Sequence, residues 1–260
     1  MDFIQVLKNI TKNKTALLIL IVLLGIVLRI IRALEINRYD VDCYIYFNMA
    51  INWSKYGTEY AYRYVVNYCP PLFPWLMSVG YKFGFQPETT GTLLGILLGS
   101  LIPLCMFYIV NILFKRSDLA LIAAFLGAIH PSLVRISVRC LKDSLYIPLV
   151  AIALAVALSA IKNKSVLKWC LFAVVAALAC FSRYEGQELI IIYVIWIVAE
   201  IVINRKSIRE NLKHYCCSFL LVMIIFSGLN WCVSYSLNMT KYTNHFFSVI
   251  ESNIDLDFTK

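Results

Sequence analysis

Charge is what this sequence has least of. Only 15% of its 260 residues are Asp, Glu, Lys or Arg, while 61% are hydrophobic and the mean hydropathy is +0.75. Soluble domains carry about 25% charged residues, so the composition excludes an ordinary soluble protein. Histidine is scarce as well, with three copies scattered at His130, His214 and His245, and the nine cysteines fall into no metal-ligand spacing. A zinc site therefore has no support. Low-complexity tracts and internal repeats are missing. A crossing takes about 20 residues, so a chain of this length holds about seven helices and one substantial loop. The expected fold is an all-α, polytopic membrane helical bundle, one domain over residues 1–260.

What is present is a series of apolar runs: Thr15 to Leu34, then about Thr89 to Phe114, Leu119 to Ile129, Leu145 to Ile161, Val166 to Phe181, Leu189 to Ile203 and Cys216 to Leu237. The first lacks a small-residue cleavage site and ends in Arg29, Arg32 and Glu35, so it stays in the membrane. The third is short and closes at "HPSL", which predicts an irregular outer end, as a span bordering a cavity has. Six cysteines, Cys105, Cys170, Cys180, Cys216, Cys217 and Cys232, lie in or beside spans as small hydrophobes.

The inner connections are a handful of residues each, whereas the first outer loop, about residues 35–88, runs past fifty. Long loops in compact proteins tend to be functional. Asp42 is placed to cap a helix through about Tyr56, with Ile45, Met49 and Trp53 on one face and Gly57 as the stop. "TEYAYRYVVNY" reads as extended or irregular, and "PPLFPWLMSVGYKF" as a second short interfacial helix opening with proline. Trp53, Trp75 and the tyrosines suit a belt at the membrane surface. Cys43 and Cys69 share this loop, and a disulfide between them is one arrangement that spacing alone does not establish.

Three charged groups fall on the outer side. Asp40 and Asp42 follow the first span. Arg135, Arg139, Lys142 and Asp143 have the spacing of one helix face entering the fourth span. Arg183 and Glu185 stand in "SRYEG" at the mouth of the fifth. Each has a plain structural reading: a helix cap, snorkelling cations with Asp143 paired to Arg139, an interfacial ion pair, and for "CPPLFP" a rigid turn. Together they suit a reaction between a membrane-borne anion and a hydroxyl. A phosphate carrying a sugar leaves well once arginine forks neutralise it. A single carboxylate then takes the acceptor proton. By analogy with inverting glycosidases, that arrangement inverts the anomeric carbon.

The series Asp42, Tyr46, Ala50 resembles the D-x-x-x-Y-x-x-x-A segment after the first span of GT-C-fold glycosyltransferases of the protein-mannosyltransferase and lipid-A aminoarabinose-transferase type. "YCPPLFPWLMSVGYKFGF", "LFKRSDLALIAAFLGAIHPSLVRISVRCLKDSLYIPL" and "FSRYEG" follow in similar order, closest to the RgtA/B/C/D-like branch. The likeness covers roughly residues 29–203. It implies a multi-pass transferase of the cell envelope that moves a sugar from a polyprenyl-phosphate (or dolichyl-phosphate) donor to a hydroxyl on a glycan, lipid or protein. Asp42 would be the base, with Asp40 the accessory carboxylate. Arg135, Arg139, Lys142, Arg183, Glu185, Tyr46, Pro70 and Pro71 would line the substrate. No obligatory cofactor or metal is implied, though a divalent ion stays open, and nucleic acid has no part in it. The likeness also places the chain in a cell membrane, bacterial inner membrane first, with the active site extracytoplasmic. Two departures stand out: Cys43 where such families often have Glu, and a chain short at the C-terminus beside relatives that carry further spans. The short C-terminus favours an inactive scaffold as the alternative. A lipid or ion transporter fits less well, because the span centres carry almost no ionisable residue.

Orientation follows from charge. With the N-terminus cytoplasmic, the inner segments hold twelve cations against four acids, and the outer segments the remaining twelve against eleven. Lys and Arg concentrate on the cytoplasmic side of short loops. Single-cysteine labelling should therefore place the 35–88 loop and the 204–213 segment on opposite sides of the membrane. Labelling from the same side would overturn the topology.

Overall fold

In a computed structural model, residues 13–36, 38–57, 61, 69–203, 218–229 and 231–232 are described. All regular structure among them is helical. Helix α1, Lys14–Leu34, starts where the Asn13 side chain accepts from the amides of Thr15 at 3.1 Å and Ala16 at 3.3 Å, two of the donors that a helix start leaves unsatisfied. The outer-loop helices α2, Val41–Tyr56, and α3, Leu72–Lys82, pack against each other. Then come α4, Pro87–Gly99, and α5, Ile102–Phe114, which together form one 28-residue span. Helices α6, Ser117–Ile129, and α7, Pro131–Ser137, are bent by 53° at His130. Pro131 causes the break, since it supplies no amide to the ladder. Helix α8, Asp143–Asn163, is central, and α9, Val166–Ser182, lies along it. A 3₁₀ turn, Tyr184–Gln187, leads to α10, Glu188–Ile203, and α11 is Ser218–Leu229.

The apolar runs form helices where expected. Among the described residues three helices, Lys14–Leu34, Pro87–Phe114 and Asp143–Asn163, are long and apolar enough to cross a membrane, and the bent pair makes a fourth if it is one span. Val166–Ser182 and Ser218–Leu229 are shorter apolar helices, so seven crossings are not established. The turns after α5 and α8 are tight because Lys115 at φ 53° and Lys164 at φ 46° take left-handed cap conformations. "TEYAYRYVVNY", apart from Ala61, lies outside the described residues, as does much of the last expected span.

Two details of the loop differ from expectation. The N-cap position of α2 is held by Asp40, with no side-chain capping bond, and Asp42 sits inside the first turn. The buried face is Tyr46, Met49, Ala50 and Trp53, while Ile45 is 37% exposed. The i, i+3, i+4, i+7 pattern started one residue later than expected. Cys43 and Cys69 are both thiols, not a disulfide. Gly57 ends the helix at φ 85°, as a C-terminal glycine should.

The break after α7 rests on one face of α4. A Cβ added at Gly95 would overlap the Ser137 carbonyl oxygen, one at Gly99 the Ser137 hydroxyl, and one at Gly91 would lie 3.0 Å from Cys140 Sγ. Small residues at four-residue spacing let backbones approach this closely in membranes. Gly95→Ala should lower stability by about 1–3 kcal/mol, the usual cost of overpacking, whereas Leu97→Ala on the 66%-exposed face of the same helix should cost little. Thermal unfolding in detergent compares them, and equal midpoints would contradict the contact.

Candidate active site

The charged candidate residues divide into two compartments on either side of residues 138–142. Arg135, Arg139, Lys142 and Asp143 do not share a helix face: α7 ends at Ser137, the link is irregular with Cys140 at φ 52°, and α8 opens at Asp143. A helix face predicted from spacing was cut by the turn. Arg135 and Arg139 consequently lie on one side with Asp40, and Asp143 on the other with Arg183. Arg139 pairs with Asp40 at 3.5 Å, not with Asp143.

The second compartment is a clamp. Arg183 donates from Nη1 to Asp143 Oδ1, its Nε lies 2.9 Å from Glu185 Oε1, and its guanidinium stacks 5.7 Å from the Tyr146 ring centre. The Ser182 hydroxyl donates to the Lys142 carbonyl at 3.1 Å, tying the end of α9 to the start of α8. Partial desolvation pushes Glu185 up, but backbone hydrogen bonding and the charges of Arg183 and Lys142 outweigh it and hold the carboxyl below its ordinary value. Burial pushes the Cys69 thiol up to about 12, with Lys142 opposing and Asp42 adding to the rise. Burial likewise raises Tyr46 well above the usual tyrosine value, with Cys69, Asp42 and Asp143 contributing. Asp42 thus acts on both buried groups, Lys142 on Cys69 and Asp143 on Tyr46. Pro70 and Pro71 are buried beside Cys69 and start α3, whose Phe73 meets Tyr46 edge-on at 5.9 Å.

The first compartment is a cavity of about 110 Å³ lined by Arg32, Arg38, Arg135 and Arg139 against Glu35 and Asp40. Arg32 pairs with Glu35 at 2.7 Å and Arg139 with Asp40. Arg38 and Arg135 have no carboxylate partner among the described residues. Arg32, Glu35 and Arg135 also border a groove of about 530 Å³ whose apolar wall is Leu28, Ile31, Ile129 and Val134. An arginine-rich cavity continuous with an apolar groove suits an anion on a hydrocarbon chain.

The structure therefore brings Asp42, Tyr46, Lys142, Arg183 and Glu185 to one region and Asp40, Arg135 and Arg139 to its neighbour. Sequence reasoning missed Arg32, Arg38 and Glu35 as cavity walls. Arg32 and Glu35 read in the sequence only as the end of a span, because the 135–139 segment that completes the cavity lies far along the chain. It also missed Asp143 and Tyr146 as partners of Arg183. Among the described residues no three or more His, Cys, Asp or Glu side chains gather as metal ligands do.

A protein-family model described as dolichyl-phosphate-mannose-protein mannosyltransferase matches residues 69–231, well over half of the chain. The match covers α3 to α11, including the break and the clamp, and begins after Asp40 and Asp42. No curated protein matches the chain.

A depressed carboxyl stabilises the fold above its unfolded value, near 4.3 for Glu, and that contribution disappears as pH falls through the folded value. The clamp should therefore weaken on acidification below about pH 4.3, and the melting midpoint should fall less steeply with acid in Glu185→Gln than in the wild type. Parallel acid profiles would remove Glu185 from the clamp.

Proposed function

The chain belongs to the dolichyl-phosphate-mannose-protein mannosyltransferase family, and from that premise we propose that it moves a sugar from a polyprenyl-phosphate or dolichyl-phosphate donor to a hydroxyl acceptor on the extracytoplasmic side of a cell membrane, the bacterial inner membrane first. At the general level it is a glycosyltransferase that works from a lipid-linked sugar, in a chain with several membrane-crossing helices. The acceptor is a glycan, lipid or protein hydroxyl.

The observation that carries the proposal is the pairing of cavity and groove. Four arginines face two carboxylates in the cavity, leaving a positive excess at the place where an apolar groove reaches the membrane side of the break. A polyprenyl phosphate has the matching form, an anion at the end of a chain that cannot leave the bilayer. Arg38 and Arg135, without carboxylate partners, take the phosphate as forks. Arg139 is held toward it by Asp40. As the sugar–phosphate bond breaks, the electron pair stays on the phosphate oxygen, and these guanidiniums stabilise that charge. Arg183, already engaged by two carboxylates and an aromatic face, orders the acceptor side together with Glu185 and Lys142.

Asp42 is the base. Its carboxylate is exposed and is not the α2 cap, a position Asp40 occupies. It takes the acceptor proton as the new glycosidic bond forms, with Tyr46, Pro70 and Pro71 building the wall behind it. Asp40 serves the phosphate side through Arg139.

Purified protein with a panel of polyprenyl-phosphate sugars tests this. Loss of a general base costs about 10²- to 10⁴-fold in rate, so Asp42→Asn should insert and bind donor normally while losing nearly all transfer. Asp40→Asn should instead weaken donor use. Full activity in Asp42→Asn with loss in Asp40→Asn would move the base to Asp40, and full activity in both would remove the carboxylates from the chemistry.

A further inference from the structure

One charged side chain is buried completely and belongs to neither compartment. Arg29, in the outer half of α1, is 0% exposed. Its Nε donates to Ser137 Oγ at 3.2 Å and its Nη1 to the Gly25 carbonyl at 2.9 Å, while Nη2 is buried without a partner. Among the described residues no carboxylate pairs with it. An ionisable group within a span is costly and faces the protein interior when it is kept. A well-packed apolar side chain would hold the helices as well or better. The guanidinium therefore needs a purpose that packing does not supply.

Its neighbours point to that purpose. Ser137 is the last residue of α7, and its hydroxyl passes the bond on by donating to the Leu133 carbonyl at 2.7 Å. Two residues before it stands Arg135 and two after it Arg139, both walls of the anion cavity. A Cβ at Gly99 would lie 2.9 Å from Arg29 Nε and overlap Ser137 Oγ, so α4 closes the socket from behind. Cys43 donates to the Arg139 carbonyl at 3.0 Å from the opposite side. The broken end of the span is thus gripped between α1, α4 and α2.

We propose that Arg29 is a positioning residue: through Ser137 it locks the broken end of the α6–α7 span, so that Arg135 and Arg139 converge on the donor phosphate. The phosphate identity rests on the transferase reading above. The grip on α7 does not.

The full chain in lipid nanodiscs carries the test, in the variants Arg29→Met, Arg29→Lys, Ser137→Ala and Gly99→Ala. Three quantities are read: amide hydrogen exchange across residues 131–140, binding of a short-chain polyprenyl phosphate, and donor KM against kcat. A hydrogen bond from a charged donor is worth roughly tenfold or more in an equilibrium. Arg29→Met should therefore speed exchange in 131–140, weaken phosphate binding and raise KM by about tenfold, and because Arg135 and Arg139 also stabilise the departing phosphate, kcat should fall in step with the faster exchange. Arg29→Lys should restore part of each. Ser137→Ala should act in the same direction and add nothing further to Arg29→Met. Unchanged exchange and binding in Arg29→Met would overturn the proposal, as would additive effects of the two substitutions or a kcat loss at unchanged exchange. If Arg29→Met does not insert, Ser137→Ala and Gly99→Ala decide it, and unchanged exchange in both overturns it. If the wild type transfers no sugar while exchange responds as described, the positioning role stands and the transferase reading falls.

Discussion

The structure depends on a backbone constraint: inside a membrane, a chain that leaves its helix must find partners for the freed amides and carbonyls within the protein. Pro131 forces such an exit between α6 and α7, a 53° bend. A second exit follows where α7 ends at Ser137, and it is tolerated because α4 presents glycines to it, because Arg29 supplies a polar partner to Ser137, and because the thiol of Cys43 meets the Arg139 carbonyl. A continuous helix would carry Arg135, Arg139, Lys142 and Asp143 around one face. The end of α7 at Ser137 and the irregular 138–142 link convert that row of charges into two opposed walls.

That division assigns different work to charges that look equivalent in sequence. Arg183 has two carboxylates and a tyrosine ring for itself, which makes it rigid and leaves it little capacity for another anion. Arg38 and Arg135 face a cavity without such partners. For the proposed donor, a phosphodiester with one negative charge that becomes a phosphomonoester when the sugar leaves, the uncompensated pair is the better receptor and the compensated one the better frame. The arginines that the resemblance places along the substrate thus divide between two sites flanking a single turn, Arg135 and Arg139 at one and Arg183 at the other.

Much of the fold was legible because apolar runs and prolines are local signals. Six run boundaries fall within a few residues of the observed helices, and "HPSL" announced the irregular outer end. The helix over 41–56 was foreseen, but its cap was placed on the wrong aspartate, since Asp and Asn cap well in general and only the tertiary partner, Arg139, shows that Asp40 is spent elsewhere. The shared face of 135–143 failed for a related reason. Helical spacing is a local rule, and the positive φ at Cys140 is set by contact with α4. The cavity brings together two segments distant in sequence, 32–40 and 135–139, so no window around Arg38 could reveal it.

The departure at Cys43 now has a physical account. Position 43 is fully buried, and its side chain points at the Arg139 carbonyl oxygen, to which the thiol donates at 3.0 Å. Burial pushes this thiol up to about 11, so it stays protonated and remains a donor at neutral pH. A carboxylate there would be desolvated and would face a carbonyl oxygen with nothing to donate. The resemblance implies an acidic pair at 42 and 43. This chain instead places its second acid at 40, outside the core, where Arg139 meets it. Moving the carboxylate three residues back puts it beside Arg139 on the cavity side of the 138–142 turn and leaves Asp42 without an arginine partner among the described residues. If one of the two is to take a proton from a hydroxyl, the one not committed to an arginine has the freer lone pairs, and that is Asp42.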